Sequence, residues 1–507
     1  MEPVDFIEPT RSGGRPSDGE PEHVSQAGES RPDASSLGVS GLGGVSGLGG
    51  DFVTPVGALV TRPPLFVPPE ATIAEAARAM REASVSSALV ADDPPGIVTD
   101  GDLRNRVLAE ERTSDTPVRA VMSRPLRSLP ADAPLYAALL LMLDQDFEHV
   151  PVTRAGRIVG MVTDMDLLRQ QARSPLLVLG RIRTLDRLEA LEGYAHEIAA
   201  TAEALFAGGV EPVRIARVIA SLDDALTGKL LQLAEAELGP PPCPYAWLVL
   251  GSEGRMEQVL LSDQDNALVY LEDTAEARAY FEMLAGRVVA GLLQAGFPPC
   301  PGGYMATNWC RPLAAWQDVF RQWIQTPEAQ ALLEAEVFLD FRHVHGELSP
   351  APLNQILLTG AGRQLFLVQL ARAATKFSPP LGPFGRIRTD GGSVDLKRGG
   401  IAAIVLLARL YALAARSLAR STLERLEAAA QAGTLSRGGA EALADAFRYL
   451  THLRLREQLR RLAAGGQPDN RVPFGGLSPL EQRRLRDALR TVVELQRATA
   501  RSFQTGE

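Results

Sequence analysis

Two stretches of this chain answer each other, and this repeat restricts its fold more than any other feature. PPGIVTDGDLRNRV (94–107) and RIVGMVTDMDLLRQQ (157–171) share a glycine, two apolar residues and then Thr-Asp-x-Asp-Leu, with Gly96 and Gly160 in equivalent places. Ahead of each copy lies a segment of helical period, TIAEAARAMREA (72–83) and PLYAALLLMLDQD (134–146). Between helix and glycine comes a strand-like run, SALVAD (87–92) in one copy and HVPVTR (149–154) in the other. The pattern predicts two small αβ units in tandem over 53–173, each with a strand-to-helix junction at its Thr-Asp-x-Asp.

The remaining organisation follows from composition. Residues 1–52 are dominated by Gly, Ser, Pro and Glu, and GVSGLGGVSGLGG (38–50) offers little to bury, so a disordered low-complexity tail is expected there. Its glycines are not followed by Lys-Ser/Thr, which excludes a phosphate loop of that type. Residues 176–238 carry apolar positions at i, i+3, i+4 and i+7, which predicts helices leading into the next unit. Residues 351–507 also read as helical: RQLFLVQLARAATKF (363–377), GGIAAIVLLARLYALAARSLA (399–419) and LSPLEQRRLRDALRTVVELQ (477–496), the last opening on an N-cap serine, a first-turn proline and a capping-box glutamate.

The net charge is −9, which disfavours a nucleic-acid partner, since phosphate backbones are bound by Lys and Arg. RLREQLRRL (454–462) is accordingly read as a solvated helix face. Cys243, Cys300 and Cys310 form neither a CxxC pair nor an even set, so no disulfide framework or zinc site is indicated, and the six histidines show no ligand spacing. The amino terminus has no signal-peptide pattern, and the longest apolar run, 401–415, is too short to span a bilayer and contains Arg409, so a cytoplasmic setting without membrane attachment is expected. Only Lys229, Lys376 and Lys397 are lysines among 52 basic residues, a weak hint that each is needed where it stands.

The chemistry is concentrated in LGSEGRMEQVLLSDQDNALVY (250–270). YAWLVL (245–250) and NALVYL (266–271) read as strands, Gly251-Ser252 as a turn, and 253–261 as a short helix. Backbone N–H groups at such a turn favour anions, and glycine lets a phosphate come close. Asp263 and Asp265, two apart on an extended chain, point to the same face. Two carboxylates on one face can share divalent cations that clamp a phosphoryl displacement. A third carboxylate is expected from EVFLDFRHVHGE (336–347), where alternation predicts a strand with Asp340 at its centre; Arg342, on the same face, is the alternative partner of that carboxylate. An EF-hand is excluded, because its glycine and terminal glutamate are absent. Taken alone, an Asp-x-Asp-Asn beside a glycine is also a common polar turn.

Two resemblances sharpen this reading. The tandem units resemble a pair of CBS domains. That likeness implies adenine-nucleotide binding (AMP, ADP or ATP), with Thr99 and Thr163 on phosphate and Asp102 and Asp166 on ribose; a purely structural role, with each Thr capping its helix, is the alternative. From about 180 to 500, GSEGRMEQ, DQDNAL, CPGGYMATNW (300–309), FLDFR and VDLKRGG (394–400) occur in the order seen in polymerase-β-like nucleotidyltransferases, in the branch joined to CBS pairs and related to PII-protein uridylyltransferases. This resemblance implies an α/β and α multidomain chain: a CBS pair (53–173), a nucleotidyltransferase α/β domain with leading helices (176–350) and a helical substrate-binding domain (351–507).

It also implies a catalytic two-metal Mg²⁺ site of Asp263, Asp265 and Asp340, with NTP held by Gly251, Ser252, Arg255 and Lys397. Lys397 is favoured over Lys376, and Arg255 and Glu257 have no assigned chemical step. Gln264 departs from the apolar residue common at the centre of the motif. The expected partners are NTP, a protein or small-molecule acceptor, and a second copy through the CBS pair, with neither nucleic acid nor membrane. The expected activity is transfer of NMP to an acceptor under CBS control; the alternative is a catalytically silent nucleotide sensor.

Overall fold

The computed structural model describes residues 54–505 apart from 61, 146, 171–174, 188–190, 192, 261, 327–334 and 383–384. The expected low-complexity tail, 1–52, lies outside the described residues.

Both tandem units are three-stranded. In the first, β1 (Phe66–Val67) runs parallel to β2 (Ser87–Val90), which pairs antiparallel with β3 (Gly96–Thr99). In the second, β4 (Leu129–Pro130), β5 (His149–Arg154) and β6 (Arg157–Thr163) repeat that order. Helix α1 (Ile73–Ala83) starts at a capping box made by Thr72 and Glu75 and stops at Ser84, which takes φ 53°. Helix α2 (Leu135–Gln145) is its counterpart. The repeated glycine has a steric reason. A Cβ on Gly96 would lie 2.5 Å from Met122 Sδ, and one on Gly160 would lie 2.1 Å from Val60 Cγ1.

Helices α3 (Tyr194–Ala207) and α4 (Pro212–Leu238) follow, the latter opening on Pro212 at its first position. Helix α4 is 27 residues long and joins two parts of the molecule. Its Arg217 and Ser221 donate to Asp144 of α2 at 3.0 and 2.7 Å. Within the next turn Asp223 accepts from the Tyr194 hydroxyl and from Gln258 Nε2, both at 3.0 Å. Asp224 takes both terminal nitrogens of Arg342.

The central sheet is β10-β7-β8-β9, with β7 (Tyr245–Val249), β8 (Asn266–Tyr270), β9 (Cys310–Pro312) and β10 (Arg342–His345). β7 is antiparallel to β8 and β10, whereas β8 and β9 are parallel. Alternation along its strands divides two cores. Tyr245, Trp247, Val249, Leu268 and Tyr270 face α4, α5 (Ala275–Gln294) and the second tandem unit. Ala246, Leu248, Ala267 and Val269 face the carboxy-terminal helices. The first tandem unit keeps a separate core.

The carboxy-terminal part is helical, as expected. Helices α6 (Leu313–Gln325) and α7 (Gln364–Lys376) precede α8 (Ala402–Ala414), against which α7 packs, followed by α9 (Thr422–Gln431), α10 (Arg437–Ala463) and α11 (Pro479–Ser502). Helix α8 is apolar all round because it is buried all round; every residue from Ala403 to Leu413 is buried, including Arg409. A buried leucine at such a site contributes about 1.5–3 kcal/mol relative to an exposed one. The capping box of Ser478 and Glu481 is present as read from sequence. Among the described residues no helix is long and apolar enough to cross a membrane.

Three local expectations differ. The helix expected over 253–261 instead spans Gly251–Gly254 and ends where Met256 takes φ 56°. The long strand expected over 336–347 is helical at 335–338 and turns at 339–340, and only Arg342–His345 pairs with β7. Apolar alternation misled here because a helix end, a turn and a strand start all bury their hydrophobes into the same core. The 454–462 segment is not a wholly solvated face: Arg454, Leu455, Glu457 and Gln458 are buried.

Candidate functional site

The Gly251 turn and the Asp-x-Asp segment are built against each other. The Leu250 N–H donates to the Asp265 carbonyl at 2.9 Å, holding the end of β7 to the start of β8. Gly251 takes φ 55°, and a Cβ there would lie 3.2 Å from Asp265 Oδ2. A side chain would be strained by the backbone and would press on that carboxylate. Gln264 turns away from its acidic neighbours and is buried. Its N–H donates to the Pro298 carbonyl at 3.0 Å, and Gln264 pairs in parallel register with Pro299. The polar residue at the centre of the motif is therefore a tether. It fixes the Pro298–Cys300 segment beside the two aspartates.

That tether brings in a residue the sequence reading dismissed. One ligand atom each of Asp263, Asp265 and Cys300 lies within 4.8 Å of the others, which makes them a metal-competent group among the described residues. Asp265 Oδ1 is buried without a hydrogen-bond partner, although the residue as a whole is only partly buried. Burial pushes the Asp265 carboxyl up to about 6, against the thiol hydrogen bond from Cys300, while the neighbouring Asp263 charge adds to the rise and Lys397 opposes it. The Cys300 thiol is pushed up to about 11 by burial and by Asp265, with backbone N–H groups of Tyr304 and Gly302 pulling the other way. The buried, unpaired Oδ1 and the two-carboxylate face fit a divalent cation, which would satisfy both.

Two cations face this group. Lys397 is exposed and starts the π-type turn Lys397–Ile401 that leads into α8; desolvation and the Arg454 charge lower its pKa, against Asp263 and Asp265. Arg454 of α10 is buried, donates to Asn470 Oδ1 at 2.7 Å, and is brought down to about 10 by burial against the opposing charges of Asp395 and Asp263. Sequence reasoning missed Arg454 because RLREQLRRL was read as one solvated face, whereas Arg454 shares a buried face with Leu450, Thr451, Glu457 and Gln458.

Asp340 and Arg255 are placed differently from the expectation. The Asp340 side chain is completely buried and forms ion pairs with Arg255, Arg409 and Arg425. Burial alone would raise its pKa; the Arg409, Arg425 and Arg255 charges outweigh it and hold the carboxyl far below the usual range. With its lone pairs taken by guanidinium, this carboxylate is the centre of an ion cluster and not a third metal ligand. Its anticipated partner Arg342 pairs with Asp224 and donates to the Glu253 carbonyl instead.

Arg255 donates through Nε to Glu257 at 2.7 Å and through Nη1 to Asp340, so it is engaged within the protein and not free for phosphate. Glu257 in turn accepts from the Thr422 N–H and, at 2.9 Å, from its hydroxyl, at the first turn of α9. The Arg and Glu of GSEGRMEQ thus clamp the loop to the carboxy-terminal helices. Gly254 completes the joint: a Cβ there would fall 1.7 Å from the Asp340 carbonyl oxygen.

Two more acids stand at the loop, Asp223 buried and Glu253 partly buried. Burial raises the Asp223 carboxyl to about 7 despite hydrogen bonds from Gln258 and Tyr194. Glu253 is raised well above its ordinary value by burial, then by Asp223 and Asp224. Both line a narrow, mainly apolar cavity with Tyr194, Ile198, Phe297 and Asp263.

In the tandem units each Thr caps its own helix. Asp102 and Asp166 N–H groups donate to Thr99 and Thr163 Oγ1 at 3.1 and 3.2 Å, and each Asp carboxylate receives its Thr N–H at 3.0 Å. The copies differ beyond that. Asp102 also accepts from Ser123 Oγ at 3.2 Å and pairs with Arg106 at 3.4 Å. Thr163 and Asp166 instead line a cleft between the units, with Arg62, Ser86, Asp100 and His149. Burial lowers the His149 pKa against the nearby acids, and its Nε2 lies 2.7 Å from Ser86 Oγ.

Comparison with known proteins agrees with this layout. The family model "CBS domain" matches residues 56–109 and 118–173. "Putative nucleotidyltransferase DUF294" matches 196–330, and "Putative nucleotidyltransferase substrate binding domain" matches 364–503. A 17.7 kDa uncharacterized protein of Acidianus ambivalens is 33% identical over 122 residues, 23% of this chain and 73% of that protein. The CBS domain-containing protein YhcV of Bacillus subtilis is 34% identical over 107 residues, 21% of this chain and 76% of its own length. Among solved structures, a CBS domain protein of Pyrobaculum aerophilum complexed with AMP is 28% identical, covering 22% of this chain and 89% of its own, with a TM-score of 0.21. Each of these covers less than a quarter of this chain, whereas the family models extend through the sheet and the carboxy-terminal helices. The chain belongs to the proteins that join a CBS domain pair to the DUF294 nucleotidyltransferase domain and its substrate-binding domain.

Proposed function

We propose that this chain transfers a nucleotidyl group from an NTP to an acceptor, under the control of an adenine nucleotide bound between its CBS units. The observation that carries the reading is the contact between the Gly251 turn and the Asp263–Asp265 face. A turn that accepts anions and a pair of carboxylates that accepts cations meet where a metal-bound polyphosphate needs both. Divalent metal, Mg²⁺ in the simplest case, would be held by Asp263 and Asp265; when bound it activates the acceptor oxygen and neutralises the leaving pyrophosphate. Gly251 and Ser252 present backbone N–H groups to phosphate, and Lys397 with Arg454 supplies positive charge from the carboxy-terminal domain. Arg255, Glu257 and Asp340 hold the loop's shape. At the CBS pair, Thr163 and Asp166 would meet phosphate and ribose, a reading supported by their position on the cleft between the units.

The test is incubation of the full chain with labelled ATP, UTP, GTP and CTP, divalent metal and host lysate. Wild type is expected to label one acceptor, and Asp263→Asn to label none while keeping its circular dichroism spectrum. Labelling that survives both Asp263→Asn and Asp265→Asn refutes the metal assignment. The engagement of Asp340 and Arg255 elsewhere favours a second reading, a sensor that binds NTP without turnover. Nucleotide binding with no labelled product under any condition would select it.

A further inference from the structure

With Asp340 enclosed by three arginines, the Asp263–Asp265 pair lacks the third protein ligand that a stable metal site wants. We infer that Cys300 supplies it through Sγ, so that this site takes a thiophilic divalent cation of the Co²⁺ or Zn²⁺ class in preference to Mg²⁺. The inference rests on the proposed role of the aspartate pair and deepens it.

Three observations converge. The Cys300 sulfur, an Asp263 oxygen and an Asp265 oxygen all lie within 4.8 Å of one another, close enough for one ion to touch all three after small adjustments. Asp265 Oδ1 is buried with no partner, a polar atom a cation would satisfy. The backbone fixes the arrangement: Gln264 pairs with Pro299, Asn266 N–H donates to the Tyr304 carbonyl at 2.9 Å, and Ala306 N–H donates to Asn266 Oδ1 at 2.7 Å. The segment CPGGYMATNW is thus laced along DQDN with its first residue beside the carboxylates.

A cysteine that merely filled the core would face hydrocarbon, not two carboxylates. Mg²⁺ prefers an all-oxygen shell, whereas one thiolate in the set favours softer cations. Binding replaces the thiol proton, which leaves to solvent, with the metal–sulfur bond.

Cd²⁺ titration of the full chain tests this, read by the ultraviolet charge-transfer band of a cadmium thiolate. Wild type is expected to show the band. Cys300→Ser is expected to lose it and bind Cd²⁺ about ten-fold more weakly or worse, with Mg²⁺ affinity changed by less than about two-fold. Circular dichroism reports that the variant is folded. A band that persists in Cys300→Ser, or Cd²⁺ binding that depends on Asp263 yet gives no band, overturns sulfur ligation and leaves the aspartate pair as an all-oxygen site. Metal binding unaffected by Asp263→Asn combined with Asp265→Asn overturns the aspartate site itself.

Discussion

Replacing Asp340 by asparagine separates two roles for this residue. Its carboxylate accepts from Arg409 Nε at 3.0 Å and Arg409 Nη2, from Arg255 Nη1, and pairs with Arg425 at 2.7 Å. Asparagine keeps one acceptor oxygen but turns the other into an amide donor facing guanidinium, and it removes the one charge shared by three buried cations. Breaking such a pair leaves uncompensated buried charge and costs about 3–5 kcal/mol. That is a large part of the roughly 5–15 kcal/mol by which a domain is stable. Trp316 and Trp323 lie in the core that contains Arg409's helix, so tryptophan fluorescence during urea unfolding reports on it.

Asp340→Asn is expected to unfold at markedly lower urea, with Asp263-dependent metal binding retained below the transition. The difference also has a pH signature. The folded carboxyl titrates far below its unfolded value, so its stabilisation is complete above the ordinary carboxylate range and is lost as pH falls toward the folded pKa. The gap between wild type and variant should therefore shrink in strong acid. A variant of wild-type stability that has lost divalent-metal binding would refute the ion-cluster assignment and restore Asp340 as a ligand.

Other expectations are narrower. Gly254→Ala drives a methyl into the Asp340 carbonyl and should destabilise by about 3 kcal/mol or prevent folding, measured by chemical denaturation. Asp223, raised to about 7 in the folded state, contributes stability at low pH that is lost as pH rises through 7. Asp223→Asn should accordingly flatten the melting temperature between pH 5.5 and 8, and an unchanged slope would discount that titration. Glu257→Gln weakens the clamp on Thr422, a buried charge-assisted contact worth about 1.5–3 kcal/mol, and should increase protease sensitivity between the loop and α9. AMP, ADP or ATP should raise the melting temperature through the CBS cleft; Asp166→Ala should abolish that shift, and a shift unchanged by it would place the nucleotide elsewhere.

The fold was legible where local pattern and burial agree. The tandem repeat, strands β5, β7 and β8 and the capping boxes at Thr72 and Ser478 follow from spacing and short-range chemistry. The same-face geometry of Asp263 and Asp265 follows from the strand period. Asp340 was misread because an acid among apolar residues signals only that it has a partner. Its partners Arg409 and Arg425 come from helices far along the chain, and no local pattern names them. Cys300 was missed for the same reason: metal-ligand spacing rules assume ligands close in sequence, and here a backbone pairing at Gln264 brings the sulfur in. The asymmetry between Asp102 and Asp166 is hidden as well, since both copies keep the same motif and differ only in what packs against it.

Helix α4 carries a consequence of its own. Ser221 grips the CBS helix through Asp144, while Asp223 and Asp224 grip Tyr194, Gln258 and Arg342. From Ser221 to Asp224 the axis advances only about 4.5 Å. A segment that short cannot absorb a displacement by bending; it turns or shifts as a piece. On the proposed function, occupancy of the cleft between the CBS units and order in the Gly251 loop would be linked through this one helical turn. Such linkage is reciprocal: the factor by which a CBS ligand changes NTP affinity must equal the factor by which NTP changes affinity for that ligand. Equal factors different from one, measured in both directions and collapsing in Ser221→Ala, would identify this turn as the shared element; independence of the two affinities would show it to be only a strut.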